Sequence, residues 1–100
     1  MSDQGLREHS QLLGSVLQYQ FDFSPWLAAR QLEGETAVSN IQYGDNVVTV
    51  VEERLQAGLW VGDIRADQVG VATIEVTLTP ETGNLIRKRR FVIKVTDPEA

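Results

Sequence analysis

The stretch VATIEVTLTPETGNLIRKRRFVIKV, residues 71–95, decides the fold. From Val71 to Thr79 apolar residues fall on every second position, the period of a strand with one covered face. Ala72, Ile74, Val76 and Leu78 are expected inward, and Val71, Thr73, Glu75, Thr77 and Thr79 outward. Pro80-Glu81-Thr82-Gly83-Asn84 is the strongest turn signal in the chain. Beyond it Phe91, Ile93 and Val95 resume the alternation, with Lys88, Arg90, Val92 and Lys94 on the other face. Asp97-Pro98 stops the strand, because proline cannot donate to a ladder.

The same grammar extends upstream. Tyr19, Phe21 and Phe23 alternate with Gln20 and Asp22, a half-buried strand that Ser24-Pro25 ends. Trp26, Leu27 and Ala28 make an apolar corner. Glu35 to Tyr43 places Ala37, Ile41 and Tyr43 in phase. Gly44-Asp45-Asn46 is a hairpin-type turn, and Val47 to Val51 is a β-branched strand. Glu52 to Ala57 holds helix formers but is short, so it reads as a connection or a single helical turn. Leu59 to Ile64 is a short strand around Trp60, and Ala66-Asp67-Gln68 a loop. Six or seven short strands with turns between predict an all-β, antiparallel immunoglobulin-like β-sandwich over residues 19–97. A small barrel is the alternative. Trp26 or Trp60 could be the core aromatic.

Residues 1–18 differ. Leu6, Leu12, Leu13, Val16 and Leu17 are spaced for a short helix face, but Gly5 and Gly14 weaken it. They read either as a frayed terminus or as an arm that orders against a partner. Residues 98–100 are a tail.

Composition excludes several chemistries. The 100 residues contain no Cys and a single His. A chain this long buries about 60–70% of its unfolded surface, enough for one core. Zero Cys removes disulfide scaffolds, thiol nucleophiles and zinc ribbons. One His, His9, removes multi-His metal sites, and its place in the N-terminal segment predicts exposure. Glu52-Glu53 is the only adjacent carboxylate pair that invites an acid–base reading. Neighbours point apart on either backbone, so it reads as solvated charge. No catalytic, cofactor-binding or metal site is expected, and no cofactor. The N-terminus lacks the pattern of a secretory signal, and no apolar run reaches the roughly 20 residues of a membrane span.

The formal net charge is −5, yet Arg87, Lys88, Arg89 and Arg90 form one basic run. The acidic remainder argues against nucleic acid as a partner. The run reads as a solvated edge that keeps the last strand from pairing with other chains, or as a grip on an acidic partner. Copies in a ring could pair one subunit's basic edge with the next one's acidic body.

Read in order, FDFSPWLA (21–28), GETAVSNI (34–41), GDNVVTV (44–50) and TIEVTLTPETGNLIRKRRFVIKV (73–95) resemble small immunoglobulin-like structural proteins of tailed bacteriophages. That group includes fibre-tail adaptors. Asp22, Pro25, Trp26, Leu27, Gly34, Glu35, Thr36, Gly83, Arg90 and Phe91 occupy its recurring positions, and the likeness covers residues 19–96. The resemblance implies a non-enzymatic virion protein, an adaptor in the neck or tail joining fibres or tail components. A capsid decoration protein and a stand-alone ligand-binding sandwich are the alternatives. It further implies other virion proteins and symmetric copies as partners, and a virion location after synthesis in the host cytoplasm. The candidate interface residues are Leu12, Leu13 and Leu17 on the arm, Trp26 and Leu27 at the corner, and Arg87, Lys88, Arg89 and Arg90.

Overall fold

The computed structural model describes residues 7–82 and 85–99. Strands β1 (Arg7–Leu12) and β2 (Val16–Asp22) precede a short helix α1 (Ser24–Ala29), and β3 (Gly34–Tyr43), β4 (Val48–Gln56), β5 (Leu59–Ala66), β6 (Gly70–Pro80) and β7 (Arg87–Thr96) follow. One sheet has the order β1-β7-β6-β3 and the other β2-β5-β4. The two face each other as a β-sandwich, as the strand pattern predicts.

The alternation in residues 71–95 holds at every apolar position. Ala72, Ile74, Val76, Leu78, Phe91 and Ile93 are completely buried, and Val95 nearly so. They meet Phe23, Val48, Trp60 and Ile64 from the other side of the core. Trp60, not Trp26, is the central aromatic: it is fully buried, whereas Trp26 is half-buried against the core. Its indole lies across Gly62, where an added Cβ would collide with the ring. A glycine is therefore required two residues after the tryptophan. Gly44 is fixed differently, by a φ of +79° and by the Val71 carbonyl against the place of a Cβ.

Three expectations need correction. Residues 7–18 are neither a frayed arm nor a helix face. Residues 7–12 form β1, which pairs in parallel with β7 from Arg7↔Phe91 to Leu12↔Thr96. The chain then turns at Gly14 (φ +88°) and enters the opposite sheet as β2. A segment this short, interrupted by Gly14, has little helical preference of its own, so pairing decides its conformation. Leu6 and Gly5 lie outside the described residues, as do Gly83 and Asn84 of the turn after Pro80.

EERLQA is strand rather than a connection or helical turn. Glu52 to Gln56 pair with Asp63 to Leu59, and Ala57-Gly58 makes the two-residue turn with both φ values positive. Cross-strand pairing overrides the helix propensity of these residues. The last strand is not an edge, because β7 lies between β1 and β6. The edges are β1 and β3 in one sheet and β2 and β4 in the other.

Candidate interaction surfaces

The nine residues singled out from the sequence lie in three separate places. Leu12 ends β1 and is exposed, Leu13 packs partly against the core, and Leu17 on β2 is 42% exposed. Trp26 sits on α1 with the Arg30 guanidinium 4.8 Å from its ring centre, a cation–π contact. Leu27 is 4% exposed and belongs to the core, so the surface of the corner is Trp26 without it.

The basic run divides between two faces because strand neighbours point apart. Lys88 and Arg90 stand on the outer face of the four-stranded sheet, Arg90 directly opposite Glu75 of β6 and Lys88 diagonal to it. The Arg90 Nε donates to Glu75 Oε2 at 2.9 Å, and the Lys88 Nζ lies 3.7 Å from Oε1. Glu75 faces outward as expected, yet it is 7% exposed because these side chains cover it. Arg87 is exposed. Arg89 has the parity of Phe91 and turns inward, its guanidinium 5.1 Å from the ring centre of Phe21.

Arg89 thereby reaches the flank of the sandwich where β1 and β2 diverge. A cleft of about 560 Å³ opens there, lined by Arg7, His9, Tyr19, Phe21, Arg89 and Phe91 among others. His9 was expected to be exposed; instead it is half-buried, edge-on to Tyr19 at 5.2 Å and to Phe91 at 5.9 Å. Beneath it the Tyr19 hydroxyl donates to Gln11 Oε1 at 2.7 Å, and Gln11 Nε2 donates to the Ile64 carbonyl at 2.8 Å. Gln11 is 2% exposed, so a buried amide joins the two sheets with its polar atoms satisfied. Partial burial pushes the Tyr19 hydroxyl above its usual pKa, since a phenolate there would lose hydration.

The opposite flank is closed by Glu53. Its Oε1 accepts hydrogen bonds from the Trp60 indole N–H at 3.0 Å and the Ser39 backbone N–H at 2.8 Å. Oε2 accepts one from the Ser39 hydroxyl at 3.1 Å. The expected solvated pair is thus split: Glu52 is exposed, and Glu53 bridges β4 to β3. A bulge between Val50 and Glu52 shifts the strand's phase and aims Glu53 inward.

Among the described residues, no group of three or more His, Asp or Glu side chains is placed to hold a metal ion. No helix among them is long and apolar enough to cross a membrane. No buried side-chain nitrogen or oxygen among them lacks a hydrogen-bond partner. The acidic and polar side chains that reach the interior are thus engaged by the scaffold itself.

No family model matches the chain, and no curated protein does. Among solved structures, it is similar to the cysteine protease inhibitor EhICP2 from Entamoeba histolytica. Identity is 11%, the match covers 90% of this chain and 85% of that one, and the TM-score is 0.56. At that identity the likeness shows the fold alone: the chain is an immunoglobulin-like β-sandwich.

Proposed function

We propose that the chain is a non-enzymatic structural protein of a tailed-bacteriophage virion, an adaptor in the neck or tail that joins fibres or tail components. The observation that carries this reading is the order of the four sequence segments that resemble such proteins. FDFSPWLA leads from β2 into α1, GETAVSNI opens β3, GDNVVTV turns into β4, and the closing segment is the β6–β7 pair. The engagement of polar groups supports a role in surfaces rather than in chemistry. Gln11, Tyr19, Glu53 and Glu75, which could otherwise serve a reaction, all hold the fold together.

In this role the partners are other virion proteins and further copies of the chain, with neither nucleic acid nor membrane involved. The test is mass spectrometry of purified particles from a phage that carries the gene, combined with antibody-gold labelling. The expected result is a fixed copy number per particle and label at the neck or tail. Absence from the particle overturns the virion reading. Label spread over the head overturns the adaptor role in favour of decoration.

A further inference from the structure

Four strands form the edges of the two sheets, and three of them are blunted. On β3, register shifts interrupt both ends, and Glu53 occupies the Ser39 N–H. On β4, the bulge after Val50 precedes the charged Glu52-Glu53-Arg54. On β1, Arg7 and Glu8 place two charges within six residues. Bulges, charges and capped donors are the usual means of stopping strand addition.

Strand β2, VLQYQFD, carries none of these. It pairs with β5 through seven consecutive positions without a shift, and no charged residue appears before Asp22. Its ladder phase is set by the bonds that flank it. The Ala66 N–H donates to the Ser15 carbonyl, and the Phe23 N–H donates to the Gly58 carbonyl. Odd-numbered residues therefore turn their backbone groups toward β5, and Val16, Gln18, Gln20 and Asp22 turn theirs outward. Among the described residues, no strand or side chain pairs with that outer row.

The side chains of β2 show the same incompleteness. Leu17, Tyr19 and Phe21 have the inward phase, opposite Ile64, Gly62 and Trp60. The β5 residues are buried, yet Leu17 is exposed and Tyr19 and Phe21 are half-buried. One more strand beside β2 would cover them and shut the cleft at this flank.

We propose that the β2 edge pairs with the β2 edge of a second copy of this chain, antiparallel about a two-fold axis at Tyr19. The sequence is complementary to itself in that register. Leu17 meets Phe21 of the second copy, Gln18 meets Gln20, and Val16 meets Asp22, so no like charges are opposed. The two three-stranded sheets become one continuous sheet of six, an isologous contact. A seven-residue strand pair is smaller than the roughly 800 Å² per partner of a stable interface, so the dimer is weak and concentration-dependent. Because each copy carries −5, added salt strengthens it. Assembly through the basic run would instead weaken with salt. This pairing does not depend on the virion reading.

The experiment is sedimentation velocity of the purified chain from micromolar to millimolar concentration, at low and high salt. It includes a Gln18→Lys/Gln20→Lys variant, a Gln18→Glu/Gln20→Glu variant and their mixture, each checked for folding by circular dichroism. The wild type is expected to shift from monomer to dimer, further at high salt. Each variant alone opposes like charges and should remain monomeric, while the mixture opposes Lys to Glu and should recover the dimer. A wild type that stays monomeric throughout overturns the proposal. So does a Lys variant that dimerises as well as the wild type, or a mixture that fails to recover.

Discussion

The Glu53 carboxylate binds Trp60 and the edge of the opposite sheet at once. One oxygen accepts both the indole N–H and the Ser39 backbone N–H. The residue at the centre of the core is thereby tied to the sheet it faces. Glu53→Ala removes the acceptor from three part-buried donors, the indole N–H and the Ser39 N–H and hydroxyl. Such a loss costs about 1–3 kcal/mol, read as a lower urea midpoint. Glu53→Gln keeps one acceptor oxygen and should lose less. Equal losses would show that the charge, rather than the acceptor, matters.

Gly62 gives a second test of the same contact. Replacing a strand glycine by alanine usually stabilises, because glycine costs the unfolded chain more entropy. Here the added methyl group enters the space of the Trp60 ring. Gly62→Ala should therefore destabilise, by about 1–3 kcal/mol as overpacked cores do. In combination with Trp60→Phe the penalty should shrink, since the smaller ring vacates that space. A double-mutant cycle in chemical denaturation measures the coupling, and additive losses would contradict the clash.

Glu75 holds two cations of the basic run, and the loss should be asymmetric. Lys88 and Arg90 are about half-exposed, 51% and 56% by side chain, whereas the Glu75 side chain is 9% exposed. Lys88→Ala removes one exposed partner and should cost at most about 1 kcal/mol. Glu75→Ala leaves Lys88 and Arg90 side by side on one face of β7 without the anion they share and should cost more. Raising the salt concentration should restore part of the Glu75→Ala loss and little of any Lys88→Ala loss. Thermal melts at two ionic strengths distinguish the two.

Much of the fold was legible because period-two alternation records which residues face a core. That is why Ala72 to Leu78 and Phe91 to Val95 were placed correctly from their order alone. The failures have physical causes. EERLQA looked like a turn of helix because propensity is local, whereas its partner, Leu59 to Asp63, pairs with it across a hairpin. Residues 7–12 looked unstructured because β1 contains few apolar residues; it is held by parallel bonds to a strand more than 80 positions away. Glu53 reads as solvated beside Glu52 because the bulge just before them, which sets which of the two turns inward, leaves no mark in the sequence. The surfaces were less legible than the core. The basic run was visible as charge, but its division between Glu75 and Phe21 follows from packing. The unblunted edge of β2 emerges only by comparison with the other three.

Acid should expose two carboxylates that the fold stabilises in their charged form. Asp67 is held below its ordinary pKa chiefly by the Thr49 hydroxyl, then by Arg65, whose Nε lies 2.6 Å from Oδ1. Asp22 is lowered by the Ser24 hydroxyl and backbone N–H, which donate to its Oδ1 at 2.6 and 3.0 Å. A folded pKa below the unfolded one means that the unfolded chain binds the proton first as pH falls. The stabilisation is complete above the ordinary aspartate pKa of about 3.9 and disappears as pH drops through the folded value. Melting temperature should thus vary little with pH well above that range and fall below it. Asp67→Asn and Asp22→Asn should each flatten part of the fall while lowering the neutral-pH value, because the charged acceptor is lost. Tyr19 works at the other end. Its raised pKa favours the protonated fold, so stability should decline as pH rises from the ordinary tyrosine pKa toward the folded one. Tyr19→Phe should remove that alkaline decline and leave the acid limb unchanged. Calorimetry of the four proteins across the pH range separates these contributions. An acid limb unaltered in both Asn variants would show that other carboxylates set it.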